Sequence, residues 1–106
     1  MKIVVTATGG SISAKVDERF GRCSYFVIVD SDTMRFTAFS NPASDFSGGS
    51  GPAAAGEIAK HDAEVLLTGN VGGKAQKALE AAGIRVVTGV SGTVSSAVED
   101  YLKAHV

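Results

Sequence analysis

The chain has 106 residues, 10 Lys and Arg against 11 Asp and Glu, a formal net charge of −1, one cysteine and no tryptophan. That length fits one domain, spanning 1–106, that buries roughly two-thirds of its unfolded surface, and a single thiol excludes an internal disulfide. The balanced charge argues against nucleic acid, and 44% apolar with 20% charged residues argues against disorder.

No apolar run approaches the roughly 20 residues that span a bilayer, so no membrane partner is expected. The opening Met1-Lys2-Ile3-Val4-Val5-Thr6-Ala7 is too short for a secretory leader. With its free thiol, the chain reads as cytoplasmic. Glycine is the anomaly: 13 residues, about twice the usual share of roughly 7%. Tight turns or close backbone approach are therefore required somewhere.

The first half has strand character. Lys2 to Ala7 is a β-branched run that stops at Thr8-Gly9-Gly10-Ser11, read as a plain turn. Tyr25 to Asp30 is a second strand, apolar on both faces. Ser31-Asp32-Thr33 supplies turn chemistry before a third strand over Met34 to Phe39, making a hairpin. Pro42, then Ser47-Gly48-Gly49-Ser50-Gly51-Pro52, forms a long connection.

In the second half the apolar period becomes helical. Ala53 to His61 is predicted as a short helix, with Pro52 in its first turn. Glu64 to Thr68 is a strand. Gly72 to Ala82 is a helix with Ala75, Ala78, Leu79 and Ala82 inward, ended by Gly83 in the left-handed conformation. Ile84 to Val87 is the next strand. Thr93 then caps a last helix with Val94, Ala97, Val98, Tyr101 and Leu102 on one face. The order βββαβαβα, with a right-handed crossover over 64–87 and one antiparallel strand from the hairpin, predicts a five-stranded mixed sheet with helices on its faces.

Catalytic signatures are few. His61 closes a helix, where its charge would suit terminal carbonyls, and His105 lies in the terminal segment, read as solvated. In a mixed sheet of this order, two-metal nuclease chemistry needs clustered carboxylates with one on the first strand, and this strand has none. A hydrolase would have to draw on Asp17, Asp30 or Asp45, with at least two of them close together. No enzyme activity is expected.

Three segments could bind a ligand. In Asp17-Glu18-Arg19-Phe20-Gly21-Arg22-Cys23 two arginines shortly precede the only cysteine. Guanidinium charge would favour a metal-ligating thiolate and would suit a polyanion. Equally, the arginines could pair with Asp17 and Glu18 while Cys23 packs as a small hydrophobe. The second segment is the loop from Asn41 to Pro52, long enough to be functional or disordered. Thr68-Gly69-Asn70-Val71-Gly72-Gly73 is the third, at the carboxyl end of a parallel strand, where open α/β sheets place ligands. Its glycines could admit a ligand or close packing of the helix.

These stretches, taken in order, resemble the dinitrogenase iron-molybdenum cofactor biosynthesis family, which includes NifX-type carriers. The resemblance rests on Asp17-Glu18-Arg19-Phe20-Gly21-Arg22-Cys23-Ser24-Tyr25-Phe26, then Asn41 and Gly49-Ser50-Gly51-Pro52. It continues in 63–72 and 78–86 and ends at Gly92-Thr93-Val94, nearly the whole chain. It implies a ribonuclease H-like three-layer fold. It also implies a transient carrier of an iron–sulfur cluster or iron-molybdenum cofactor precursor, with a cluster donor or acceptor protein as partner.

Carrier-type members often place histidine where this chain has Arg19 and Ser47-Gly48, which leaves Cys23 as the soft ligand among the matching positions. The expected site is therefore Arg19, Gly21, Arg22, Cys23, Gly48, Gly49, Ser50, Gly51, Gly69 and Gly72. Cys23, exposed, would ligate metal; Arg19 and Arg22 would neutralise cluster charge, and Gly48–Gly51 would close over the cargo. The alternative is a metal-free regulatory or protein-interaction module of the same fold, its arginines outward. Monomer or weak dimer is expected: the last helix and the hairpin edge could each support a dimer, but neither shows an exposed apolar stripe long enough to argue one.

Overall fold

A computed structural model describes residues 1–105. Strands β1 (Lys2–Ala7), β2 (Tyr25–Asp30), β3 (Phe36–Ser40), β4 (Val65–Leu67) and β5 (Arg85–Val87) form one sheet in the order β3-β2-β1-β4-β5. Helices α1 (Ser50–Lys60), α2 (Gly73–Ala81) and α3 (Val94–Ala104) complete the expected element order. β1 pairs in parallel with β4, and β4 with β5, whereas β2 runs antiparallel to both β1 and β3. The sheet is thus mixed through its one reversed strand.

β1 lies at the centre because both of its faces are apolar. Val4 joins Phe26, Ile28 and Leu66 beneath α1 and α2, through Ala54, Ala55, Ile58, Ala75 and Leu79. Ile3, Val5 and Ala7 join Val27, Val29, Val65 and Leu67 beneath α3, through Val94, Ala97, Val98 and Tyr101. Period-2 alternation in each strand thereby feeds two cores, and three layers follow. Thr93 caps α3 as expected, with its Oγ1 accepting from the Ser96 N–H at 3.1 Å. Gly83 takes φ 74° after α2.

Most elements lie within a residue of expectation, and three larger differences stand out. β3 begins at Phe36 because Met34, at φ 58°, belongs to the hairpin turn; its N–H donates to the Asp30 carbonyl at 2.7 Å. α1 begins at Ser50, so Ser50, Gly51 and Pro52 are helical rather than part of a flexible connection. Proline is tolerated there because first-turn N–H groups lack intrahelical acceptors. Thr8 to Lys15 is more than a plain turn: the Thr8 N–H donates to the Lys15 carbonyl at 2.9 Å, and Val16 bridges Ala7. The chain thus returns across the carboxyl end of β1 before β2 begins.

Both histidines stack on aromatic rings. His61, the C-cap of α1, lies 4.2 Å from the Phe39 ring centroid. His105 lies 4.1 Å from that of Tyr101 and holds the Tyr101 carbonyl through Nδ1 at 2.9 Å. No helix among the described residues is long and apolar enough to cross a membrane.

Candidate functional site

The carboxyl ends of β1 and β4 are bridged by two buried threonine hydroxyls, Thr6 and Thr68, 2.8 Å apart. Thr6 Oγ1 also donates to the Asp17 carbonyl at 2.7 Å, and the Asp17 N–H donates back to the Thr6 carbonyl at 2.8 Å. These bonds lay segment 17–23 across the end of the sheet. Its Phe20 N–H then donates to the Asn70 carbonyl at 3.2 Å, joining it to the β4–α2 loop.

Glycine permits this crossing. A Cβ on Gly69 would stand 2.6 Å from the Glu18 Cα, inside the shortest tolerable contact. Gly21, at φ 91°, lies against the first turn of α1, where an added Cβ would meet the Gly51 backbone at 3.0 Å. Gly51 in turn lies against α2, its virtual Cβ 2.8 Å from that of Ala75. Gly21, Gly51 and Gly69 therefore bring backbones together. At Gly48, Gly49 and Gly72, by contrast, a Cβ would meet nothing within 4 Å, although φ 72° strains any substitution at Gly49.

Between these elements opens a cavity of about 320 Å³, lined by Phe20, Gly49–Pro52 and Gly72–Ala75. The N-termini of α1 and α2 both border it. Neither has a side-chain cap, and neither carries an acidic residue in its first turn. Uncapped first-turn N–H groups and the positive ends of two helix dipoles thus converge on one space, with Lys74 among the lining residues. Beyond the crossing segment, Glu18, Gly69, Asn70, Gly89, Val90 and Ser91 line a smaller cleft of about 200 Å³.

The expected exposure of Cys23 is corrected. The residue is not exposed but fully buried, packed with Phe20, Phe26, Ala54 and Ala55 under α1. Burial pushes its thiol from 9.0 up to about 12, and the nearby Asp17 carboxylate adds to the rise. In this fold the thiol is held neutral and enclosed by side chains. The preceding arginines failed to expose it because Phe20 and Phe26 pack in the same core cluster, their rings 5.9 Å apart. Asn41 sits over it as a buried clamp: Nδ2 donates to the Gly21 carbonyl at 2.9 Å and the Cys23 carbonyl at 3.1 Å, and Oδ1 accepts from the Ala43 N–H at 3.0 Å.

The arginines are exposed, but neither lines the cavity. Arg19 Nε lies 3.5 Å from an Asp17 carboxylate oxygen, and Arg22 donates to the Ser44 carbonyl at 3.2 Å. Asp17 and Asp30 stand at opposite ends of β1, about 13 Å of strand apart at ~3.3 Å per residue, so they do not form a metal-bridging pair. Among the described residues no three His, Cys, Asp or Glu side chains are grouped to hold a metal ion. Sequence reasoning missed Lys74 and Phe20 as lining residues. The available signal was Gly72-Gly73-Lys74, glycines without an acidic residue at a helix start beyond a parallel strand.

A family described as dinitrogenase iron-molybdenum cofactor matches residues 1–104. No curated protein matches. Among solved structures, the chain is 47% identical to the apo form of the orange protein (ORP) from Desulfovibrio gigas, covering 97% of this chain and 88% of that one, with a TM-score of 0.94. It is 29% identical to the crystal structure of PH0822, covering 98% and 92%, with a TM-score of 0.84. The NMR structure of a putative NifB protein from Thermotoga, TM1290, of the DUF35 family, is also 29% identical, covering 96% and 87%, with a TM-score of 0.83.

Proposed function

We propose that this chain, which belongs to the dinitrogenase iron-molybdenum cofactor family, transiently carries an anionic metal–sulfur cofactor or its precursor as cargo. The cargo is held by charge and backbone N–H groups, not by a thiolate. The observation that carries the proposal is the convergence of two uncapped helix N-termini and Lys74 on the cavity of about 320 Å³. Metal–sulfur clusters bear negative charge, and their sulfurs accept hydrogen bonds. A helix N-terminus favours an anion by about 0.3–1 kcal/mol when exposed, and by up to ~2 kcal/mol when partly buried. Such increments hold a cluster without covalent commitment, as a carrier that must release its cargo to an acceptor requires.

The donor set does not fit direct ligation. Cys23 is sealed in the core, and His61 and His105 are stacked on rings away from the cavity. Gly49 and Gly72 leave space for cargo, whereas Gly21, Gly51 and Gly69 hold the surrounding backbones together.

The test is anaerobic incubation with iron, sulfide and molybdate, followed by desalting, metal analysis and absorption spectroscopy. Wild type and a folded Cys23→Ser variant should retain equal metal and the same charge-transfer bands; Lys74→Glu should lose most of both. Loss in Cys23→Ser with full retention in Lys74→Glu would overturn the proposal. So would failure of the wild type to retain metal, which would favour the metal-free interaction module.

A further inference from the structure

Strand β3 is an outer strand of the sheet, and all of its residues except Phe39 are exposed. Its sequence, Phe36-Thr37-Ala38-Phe39-Ser40, holds no charge and no proline. Natural edges are ordinarily blunted by lysine, proline or a bulge, because a free row of N–H and C=O groups invites another strand. Beside it Met34 and Phe36 are large exposed apolar side chains, as is Ile12, which shares a small cavity with Met34 and Val29.

The direction of the free groups follows from the pairing with β2. The Asp30 N–H donates to the Arg35 carbonyl, and the Asn41 N–H donates to the Ser24 carbonyl, each at 2.9 Å. Antiparallel hydrogen bonding alternates along a strand. Arg35, Thr37, Phe39 and Asn41 therefore bond inward to β2, while Phe36, Ala38 and Ser40 direct their N–H and C=O groups outward.

We propose that β3 pairs antiparallel with β3 of a second copy of this chain, about a two-fold axis at Ala38. This register sets Ala38 against the second copy's Ala38, and Phe36 against its Ser40. All three outward residues then fall in hydrogen-bonded positions, giving about six bonds across the axis. The smallest side chain meets itself where the two-fold crowds the strands. On the opposite face Thr37 meets the second copy's Phe39, which sets the two Phe39 positions at a diagonal spacing of roughly 7–8 Å.

Charge does not oppose this register: the one charged residue over 35–41, Arg35, falls opposite the second copy's Asn41, so no like charges meet across the pair. A lone short strand pair is a small interface, so the dissociation constant should be on the order of 100 µM. Because the strands run oppositely, the two cofactor cavities face opposite ends of the joined sheet and both stay open. Cargo loading and pairing are therefore separable.

Sedimentation velocity from about 10 µM to about 1 mM tests the association. Wild type should shift from monomer to dimer, and Ala38→Pro should remain monomeric. This substitution removes an outward N–H and leaves the β2–β3 bonds intact, so circular dichroism should not change. In the wild type, amide exchange should slow with concentration at Phe36, Ala38 and Ser40, and not at Thr37 or Phe39. A monomer throughout would overturn the proposal. So would a dimer that persists in Ala38→Pro, or concentration-dependent protection elsewhere without protection at Ala38.

Discussion

Replacing Asn41 by alanine removes the clamp that joins segment 20–23 to the loop before α1. In the native chain its amide donates to two carbonyls, Gly21 and Cys23, and accepts from the Ala43 N–H, all within 3.1 Å and buried. A typical intramolecular hydrogen bond contributes a net ~1 kcal/mol, so the three together contribute about 3 kcal/mol. Each partner left buried and unpaired can add a further penalty of about 1–3 kcal/mol, lessened where water enters the space left by the amide. The expected loss is therefore roughly 3–5 kcal/mol, within the ~5–15 kcal/mol of a typical domain. Urea unfolding should show the midpoint falling with little change in slope, and Tm should fall by about 15 °C or more. Asn41→Asp should also destabilise at neutral pH, because an ionised carboxylate would face the Gly21 and Cys23 carbonyls and donate to neither. Acidification should recover part of that loss. A loss below about 1 kcal/mol for Asn41→Ala would refute the account of this residue as the clamp of the site.

Two more predictions concern the thiol and the glycines. Because folding raises the Cys23 pKa from 9.0 to about 12, the native state disfavours the thiolate, and its stability falls as pH rises through that window. The slope specific to Cys23 is about 1.4 kcal/mol per pH unit, read as the difference between wild type and Cys23→Ala in denaturant unfolding across that range; equal slopes would refute it. Alkylation of the native thiol near pH 8 should accordingly be much slower than in urea. Gly69→Ala should destabilise by roughly 2 kcal/mol or more, because its Cβ would meet the Glu18 backbone. Gly72→Ala should leave the unfolding midpoint nearly unchanged, since its Cβ meets open space. Similar midpoints for the two would show that the crossing segment has room to move aside.

Much of the architecture was legible in the sequence because hydrophobic periodicity is a local property. β1 and β2 were placed to the residue, Pro52 marked the first turn of α1 and Gly83 the end of α2, and the switch from period 2 to a helical period identified α2 and α3. Strand–helix–strand order with a right-handed crossover left few topologies, and the glycine excess announced close backbone approach. What local pattern did not show was where each side chain would point. Cys23 just after two arginines has the composition of a reactive thiol. Yet it lies one residue past the Gly21–Arg22 turn, and Phe20, Phe26 and α1 close over it. The same holds for the glycines: Gly51, Gly69 and Gly72 look alike in sequence, yet two meet backbone or side-chain atoms and the third meets empty space. Lys74 acquired its place only when α1 and α2 brought their N-termini to one cavity. Composition and period determine which segments become strands and helices, because those choices depend on neighbours a few residues away. Charge, exposure and free space at the site depend on segments 17–23, 41–52 and 68–75 meeting, and only the tertiary structure brings them together.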